Sequence, residues 1–164
     1  MPDSISSKRR AEYALGYVVL GLFCEATEEL ESIAPADRAT PETLTAWVEL
    51  HMATKQWDRV LEVAPKLAAA APTNDRGWIA WAFALREVAR IADAREVLLR
   101  AETLHGNSCA LLHYNLACYE CLLGRLSEAR RRLEVACRME KSFREDASSD
   151  PDLQALQGGS SSSA

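Results

Sequence analysis

The sequence lacks an apolar stretch long enough to span a bilayer. The run from Ala14 to Phe23 follows three basic residues and so imitates a signal anchor. It is about ten residues long, whereas a spanning helix needs about 20. We therefore interpret it as part of a soluble helix, and we expect a cytoplasmic protein without membrane insertion.

Positive charge is not in excess either. The chain has 19 Lys and Arg against 24 Asp and Glu, a formal net charge of −5. A protein that binds nucleic acid uses a basic surface to neutralise phosphates, so we expect no nucleic-acid partner. The local run of Arg130, Arg131 and Arg132 is interspersed with glutamates at helical spacing, which predicts a solvated, ion-paired outer face.

The cysteines do not form a disulfide framework. There are five, an odd number, and all lie in helical pattern, which indicates free thiols in a reducing compartment. Cys118 and Cys121, with Cys109 and His113 nearby, suggest a metal or redox site. On one helix these side chains splay apart, whereas zinc needs four converging ligands. We interpret them as packing residues, and predict no metal and no cofactor.

Catalytic motifs are also missing. No Ser/His/Asp set, phosphate-binding loop or paired-carboxylate motif is apparent in the sequence, and we predict that the protein is not an enzyme.

What the sequence does contain is one unit repeated four times. Residues with the same role recur after 34, 34 and 35 positions: Ala14, Val48, Ala82 and Ala117; Gly21, Lys55, Ala89 and Gly124; Ala26, Val60, Ala94 and Ala129. A fixed period near 34 residues is typical of helical hairpins stacked into a solenoid. No strand pattern competes with the helical spacing.

The boundaries follow from capping and turn signals. Thr40 followed by Pro41 starts the second unit, and Asp150 followed by Pro151 starts a terminal helix. We predict one domain over residues 7–156, with repeats at about 7–40, 41–74, 75–109 and 110–143 and a cap at 144–156. Residues 1–6 are predicted to be disordered and residues 157–164 to form a flexible tail. Leu153 and Leu156 are expected to bury the face of the last hairpin.

These repeats resemble the tetratricopeptide repeat family, in its bacterial style. The best matches to the family pattern are Trp78-x2-Trp81-Ala82-x2-Leu85 with Ala94-x3-Leu98, and Leu44-x2-Trp47-Val48-x2-His51. The chain departs from the pattern at Glu120, where an aromatic residue is usual. The resemblance implies an all-α, right-handed solenoid of four helix-turn-helix repeats with a C-terminal capping helix.

The resemblance also implies where a partner would bind. In the family, the first helix of each repeat lines a concave groove. Positions on that face form a mainly apolar stripe, which we call the groove stripe: Leu15, Val18, Val19, Glu49, Met52, Arg76, Ile79, Phe83, Arg86, Leu111, Tyr114, Cys118 and Cys121. Because Phe83 and Tyr114 occupy no core column, we expect both to be partly exposed and to anchor a partner.

Two functions fit this surface. The first is a non-enzymatic protein-interaction module (scaffold, adaptor or chaperone-like) that holds a partly apolar peptide or helical segment in the groove. The alternative is a structural protein whose apolar faces pair subunits, in which case a homodimer or larger assembly forms. An apolar stripe that neighbouring helices simply bury is the third interpretation of the same residues.

Overall fold

The structure, a computed structural model, describes residues 5–157. Across that range the regular elements are all helical. In chain order they are α1 (Ser7–Val19), α2 (Phe23–Glu31), a 3₁₀ turn (Pro35–Asp37), α3 (Pro41–Ala53), α4 (Trp57–Ala70), α5 (Asp75–Glu87), α6 (Ile91–His105), α7 (Ala110–Leu122), α8 (Leu126–Met139), α9 (Phe143–Ser149), a second 3₁₀ turn (Pro151–Leu153) and α10 (Gln154–Gln157). The expected all-α class is confirmed.

The chain divides into two compact units, Met1–Ala84 and Leu85–Ala164. In the first unit, α1 packs on α2 and α3, and α3 packs on α4. In the second, α7 packs on α6, α8 and the second 3₁₀ turn. The single domain over 7–156 and its repeat boundaries stay predictions, and residues 1–4 and 158–164 of the predicted terminal segments lie outside the described range.

The starts of α3 and α5 have local causes. The Thr40 side chain accepts a hydrogen bond from the Thr43 amide, with Pro41 in the first helical position, where its missing N–H is no loss. Asn74 accepts from the Arg76 amide at 2.9 Å and starts α5 in a similar way. No helix among residues 5–157 has the length and apolar character that crossing a membrane requires.

The turns inside the four hairpins share one backbone conformation. Gly21, Lys55, Ala89 and Gly124 have φ of 75°, 55°, 61° and 76°. At each, the following amide bonds back to the carbonyl five residues earlier, for example Arg125 to Glu120 at 2.8 Å. This is the Schellman ending of a helix, which requires a left-handed residue. The spacing of 34, 34 and 35 residues is therefore a backbone feature as well as a sequence pattern.

The small residues of the repeat lie in the core. Ala14, Val48, Ala82 and Ala117 are all 0% exposed, as are Ala26, Val60, Ala94 and Ala129. Gly77 extends this close packing, because a Cβ there would lie 2.7 Å from the backbone nitrogen of Ala68. The helices approach so closely because no bulk separates their backbones.

The second unit also buries charge. Glu120 is 0% exposed and accepts from Arg95 Nε at 2.6 Å, so an ion pair replaces the aromatic residue usual in this column. Arg132 is 6% exposed and pairs with Glu102 and Glu128. The prediction that Arg132 belongs to a solvated face was wrong, since it lies under those two carboxylates.

Candidate partner-binding surface

The groove stripe of the first unit begins on α1 with apolar side chains that water reaches. Leu15 and Val18 are half-buried, because they pack on the cluster formed by Ala11, Ala14, Leu30 and Ala46. Val19 is 86% exposed, and the adjoining Leu20 and Leu22 are 71% and 40% exposed. α1 therefore ends in an uncovered apolar cluster, Val18–Leu22, which we call the α1 patch.

Charged and aromatic members of the stripe follow on α3 and α5. Glu49 and Arg76 form a two-pronged ion pair, in which Arg76 Nη2 donates to Glu49 at 2.7 Å. Phe83 is half-buried, its ring centroid 5.8 Å from that of Trp57. Met52 is half-buried beside Val48 and Val60, whereas Ile79 is only 5% exposed and belongs to the interior.

In the second unit the same stripe is covered. Tyr114, Cys118 and Cys121 are 7%, 5% and 4% exposed, whereas Leu111, at 40%, and the Arg86 side chain, at 31%, are still reached by water. The expectation that Tyr114 would be partly exposed was wrong. The residues that cover it come from the end of the same chain, Phe143–Leu153.

The covering segment is held by matched contacts. The Phe143 ring stacks on Tyr114 with 4.6 Å between centroids. The Tyr114 hydroxyl donates to an Asp150 carboxylate oxygen at 2.7 Å, and the Cys118 thiol donates to the same oxygen at 3.7 Å.

Two further contacts complete the attachment. Arg86 donates from Nε and Nη2 to the two oxygens of Asp152, at 2.9 and 2.5 Å. Leu153 is 1% exposed, as expected for a cap, whereas Leu156 is half-buried and only partly fulfils that expectation. The Asp150 side chain also accepts from the Asp152 amide at 2.9 Å, which fixes the turn that presents both carboxylates.

Burial and these carboxylates shift the acidities of the covered groups. Burial raises the pKa of the Tyr114 hydroxyl and of the Cys118 thiol well above their usual ranges, and Asp150 raises both further. Both groups therefore remain protonated donors at neutral pH. A thiol activated for nucleophilic or redox chemistry needs the opposite shift.

Three potential metal ligands do meet in this place. The Cys118 sulfur and carboxylate oxygens of Asp150 and Asp152 lie within 4.8 Å of one another. However, the Arg86 guanidinium already occupies both oxygens of Asp152, and its positive charge opposes a cation. The other residues of the metal hypothesis lie elsewhere: His113 Nε2 donates to the Gly106 carbonyl at 2.7 Å, and its Nδ1 faces Arg132 at 3.4 Å.

The sequence pattern predicts Tyr114, Cys118 and Arg86 on one stripe, but it does not identify Phe143, Asp150 and Asp152 as their partners. The acidic pair around Pro151 signalled a helix start, which it is. Asp150 and Asp152 also precede Leu153, which is expected to be buried. Carboxylates beside a buried residue need hydrogen-bond donors, and this is a sequence signal that the segment binds to another part of the chain. The binding role of the groove stripe itself stays a prediction.

Solved structures share this architecture. Neither a protein-family model nor a curated protein sequence matches the chain. A crystal structure of MamA matches with a TM-score of 0.74 at 18% identity, over 88% of this chain and 83% of MamA. A structure of a mutant of MamA matches with a TM-score of 0.69 at 21% identity, over 85% of this chain and 81% of the mutant.

A third solved structure is described as a tetratricopeptide-repeat protein. TTC0263, from Thermus thermophilus, matches with a TM-score of 0.70 at 19% identity, over 93% of this chain and 87% of its own. At these identities the likeness concerns the fold. Together with the four hairpin turns in register, it shows that the chain has the tetratricopeptide-repeat fold.

Proposed function

We propose that this chain is a non-enzymatic protein-interaction module that binds an apolar segment of a partner protein along α1 and α3 of the first unit. The α1 patch is the observation that carries the proposal. Three neighbouring large apolar side chains at the end of α1 and in the turn after it are 86%, 71% and 40% exposed, whereas Ala11 and Ala14 of the same helix are buried. A cluster of this kind lowers its free energy when a partner covers it.

The rest of the first-unit stripe suits an apolar partner segment. Leu15 and Met52 continue the surface while remaining half-buried, so the site is backed by packed side chains. Glu49 and Arg76 neutralise each other, and neither offers an unpaired charge that an apolar partner would have to desolvate. A short amphipathic helix or an extended apolar strand meets these requirements.

The chemistry of the described residues supports binding more than catalysis. The buried hydroxyls of Tyr114 and Tyr119 have raised pKa values, chiefly through burial, and the Cys118 thiol behaves in the same way. General bases and nucleophiles are instead tuned to release or accept protons near neutral pH.

The test is a charge placed in the α1 patch. Val19→Glu should weaken capture of partner proteins from the native cell extract at least about tenfold, because an exposed contact becomes a desolvated charge. Leu104→Glu is the matched control, since Leu104 is a 55% exposed apolar residue on a helix but lies on α6, outside the groove stripe. Circular dichroism should be unchanged in both variants. Equal capture by both would remove the α1 patch as the binding surface.

The alternative function is self-assembly through the α1 patch. It predicts a change of oligomeric state in the same two variants. Light scattering of the wild-type chain would then show a dimer or larger assembly, and Val19→Glu would convert it to a monomer while Leu104→Glu would not. A monomeric wild-type chain contradicts obligate self-assembly.

A further inference from the structure

We propose that the groove stripe of the second unit is a binding site for an acidic Asp-Pro-Asp-Leu type of segment from another protein, and that the chain's own residues 143–157 keep it filled. This inference rests on the proposed function, in which first helices of the repeats bind partner segments. It extends that function to a second site with different chemistry: Arg86, Tyr114 and Cys118 offer hydrogen-bond donors to an acidic segment, whereas the α1 patch is apolar.

The site selects for carboxylates. Tyr114 and Cys118 are nearly buried, and a single oxygen of Asp150 accepts from both. Without that oxygen two buried donors would lose their partner, which would destabilise the filled site. The fork of Arg86 adds a bidentate carboxylate contact, a geometry that distinguishes a carboxylate from a neutral side chain. A cap that only covered an apolar face would need Leu153 and none of these donors.

The segment that fills the site consists of short helices. α9 has seven residues and α10 four, and neither contains a buried residue. Helices of this length are not stable by themselves in water. Attachment therefore depends on a few side chains, namely Phe143, Asp150, Asp152 and Leu153. α9 and α10 also contact α8, while α7 and α8 pack on each other directly. A competitor with the same side chains would therefore leave the direct contacts between α7 and α8 in place.

Tethering explains why the site is filled in the free chain. A segment on a short linker has an effective concentration on the order of millimolar. A partner segment must therefore outcompete the attached residues 143–157, or bind to a chain in which the attachment of those residues is weakened. This predicts that weakening the attached segment increases the affinity for the same segment added from outside.

The experiment uses the full chain and a labelled peptide with the sequence of residues 143–157. In the chain, Asp150→Ala and Asp152→Ala are combined to weaken the attached segment, and binding is followed by fluorescence anisotropy. We expect the peptide to bind this double variant at least about tenfold more tightly than the wild-type chain. The matched control peptide carries the same two alanines and should not bind. Adding Arg86→Gln to the double variant should weaken binding of the native peptide at least about tenfold.

Equal, weak binding of the native and control peptides to the folded double variant would overturn the proposal. If the double variant does not fold, hydrogen exchange on the wild-type chain decides instead. Saturating peptide should then accelerate amide exchange in residues 143–157 of the chain, because they are displaced, and unchanged exchange would refute the site.

Two further outcomes are separate. If the wild-type chain forms dimers that Arg86→Gln converts to monomers, the occupant is a second copy of this chain and the partner proposal fails. Val19→Glu should leave peptide binding unchanged, because the α1 patch is not part of this site. Peptide binding that persists while Val19→Glu has no effect on capture from extract would refute the proposed function and leave this inference standing.

Discussion

The two units contain the same repeat but differ in how far their parts of the groove stripe are exposed. On α1 the stripe ends in Val19, 86% exposed, whereas on α7 Tyr114 and Cys118 are 7% and 5% exposed under the chain's own C-terminal segment. The hairpin turns are the same in both, with left-handed residues at equivalent positions. The repeat thus determines where a residue of the groove stripe lies. Whether that residue is exposed depends on whether another segment of the same chain covers it.

The largest expected effect comes from removing the leucine that anchors the cover. Leu153→Ala should lower the free energy of unfolding by about 3 kcal/mol, because a fully buried leucine leaves a cavity. Leu156→Ala, at a half-buried position in the same segment, is the control and should cost about 1 kcal/mol or less. Urea unfolding followed by circular dichroism measures both. Equal, small decreases in the free energy of unfolding would mean that the C-terminal segment contributes little stability. The difference in covering between the two units would then matter less.

A smaller effect is expected from relieving the turns, and it should be the same in both units. Lys55 and Ala89 adopt φ of 55° and 61°, a conformation that costs a residue with a Cβ about 1–2 kcal/mol. Lys55→Gly and Ala89→Gly should each raise the free energy of unfolding by up to about 1 kcal/mol, after the entropy cost of glycine. The reverse change, Gly21→Ala, should be destabilising.

Matched gains from Lys55→Gly and Ala89→Gly would show that the units differ in their covering and not in their hairpins. A gain in one unit only would contradict that conclusion. Thermal melts of the three variants beside the wild-type chain give the comparison.

The smallest expected effect is a pH dependence that belongs to the first unit. Burial lowers the pKa of His51 below its usual 6.5, and Arg59 acts in the same direction, whereas Gln56 and Glu62 oppose the shift. As the pH falls through 6.5 the unfolded chain binds a proton before the folded chain does, so acidification lowers stability. The His51 Nδ1 is buried without a hydrogen-bond partner, which is consistent with a neutral ring.

His51→Gln should therefore lose less thermal stability between about pH 7.5 and about pH 5.5 than the wild-type chain does. The comparison is between melting temperatures at the two pH values for each protein. An equal decrease in both would show that another group causes the acid sensitivity.

Much of the fold was predictable because its causes are local. The turn at Gly124 and the helix start at Thr40-Pro41 depend on the conformations of a few adjacent residues, and each left a sequence signal. The buried small residues of the second helices were predictable for a similar reason. They recur with the same period as the turns, at Ala26, Val60, Ala94 and Ala129. Arg132 was misjudged because helical spacing shows which charges can pair but not which of them a neighbouring helix buries.

By itself, the sequence determined the period of the array, the position of the turn in each hairpin and the identity of the core columns. Only the tertiary structure decided which part of the groove stripe is open. Tyr114 meets Asp150 across 36 positions, and Arg86 meets Asp152 across 66. Contacts at such separations depend on where the last segment folds back, and a periodic pattern contains no information about that. Tyr114 therefore looked like an anchor for a partner, although the chain's own Phe143 and Asp150 already bind it.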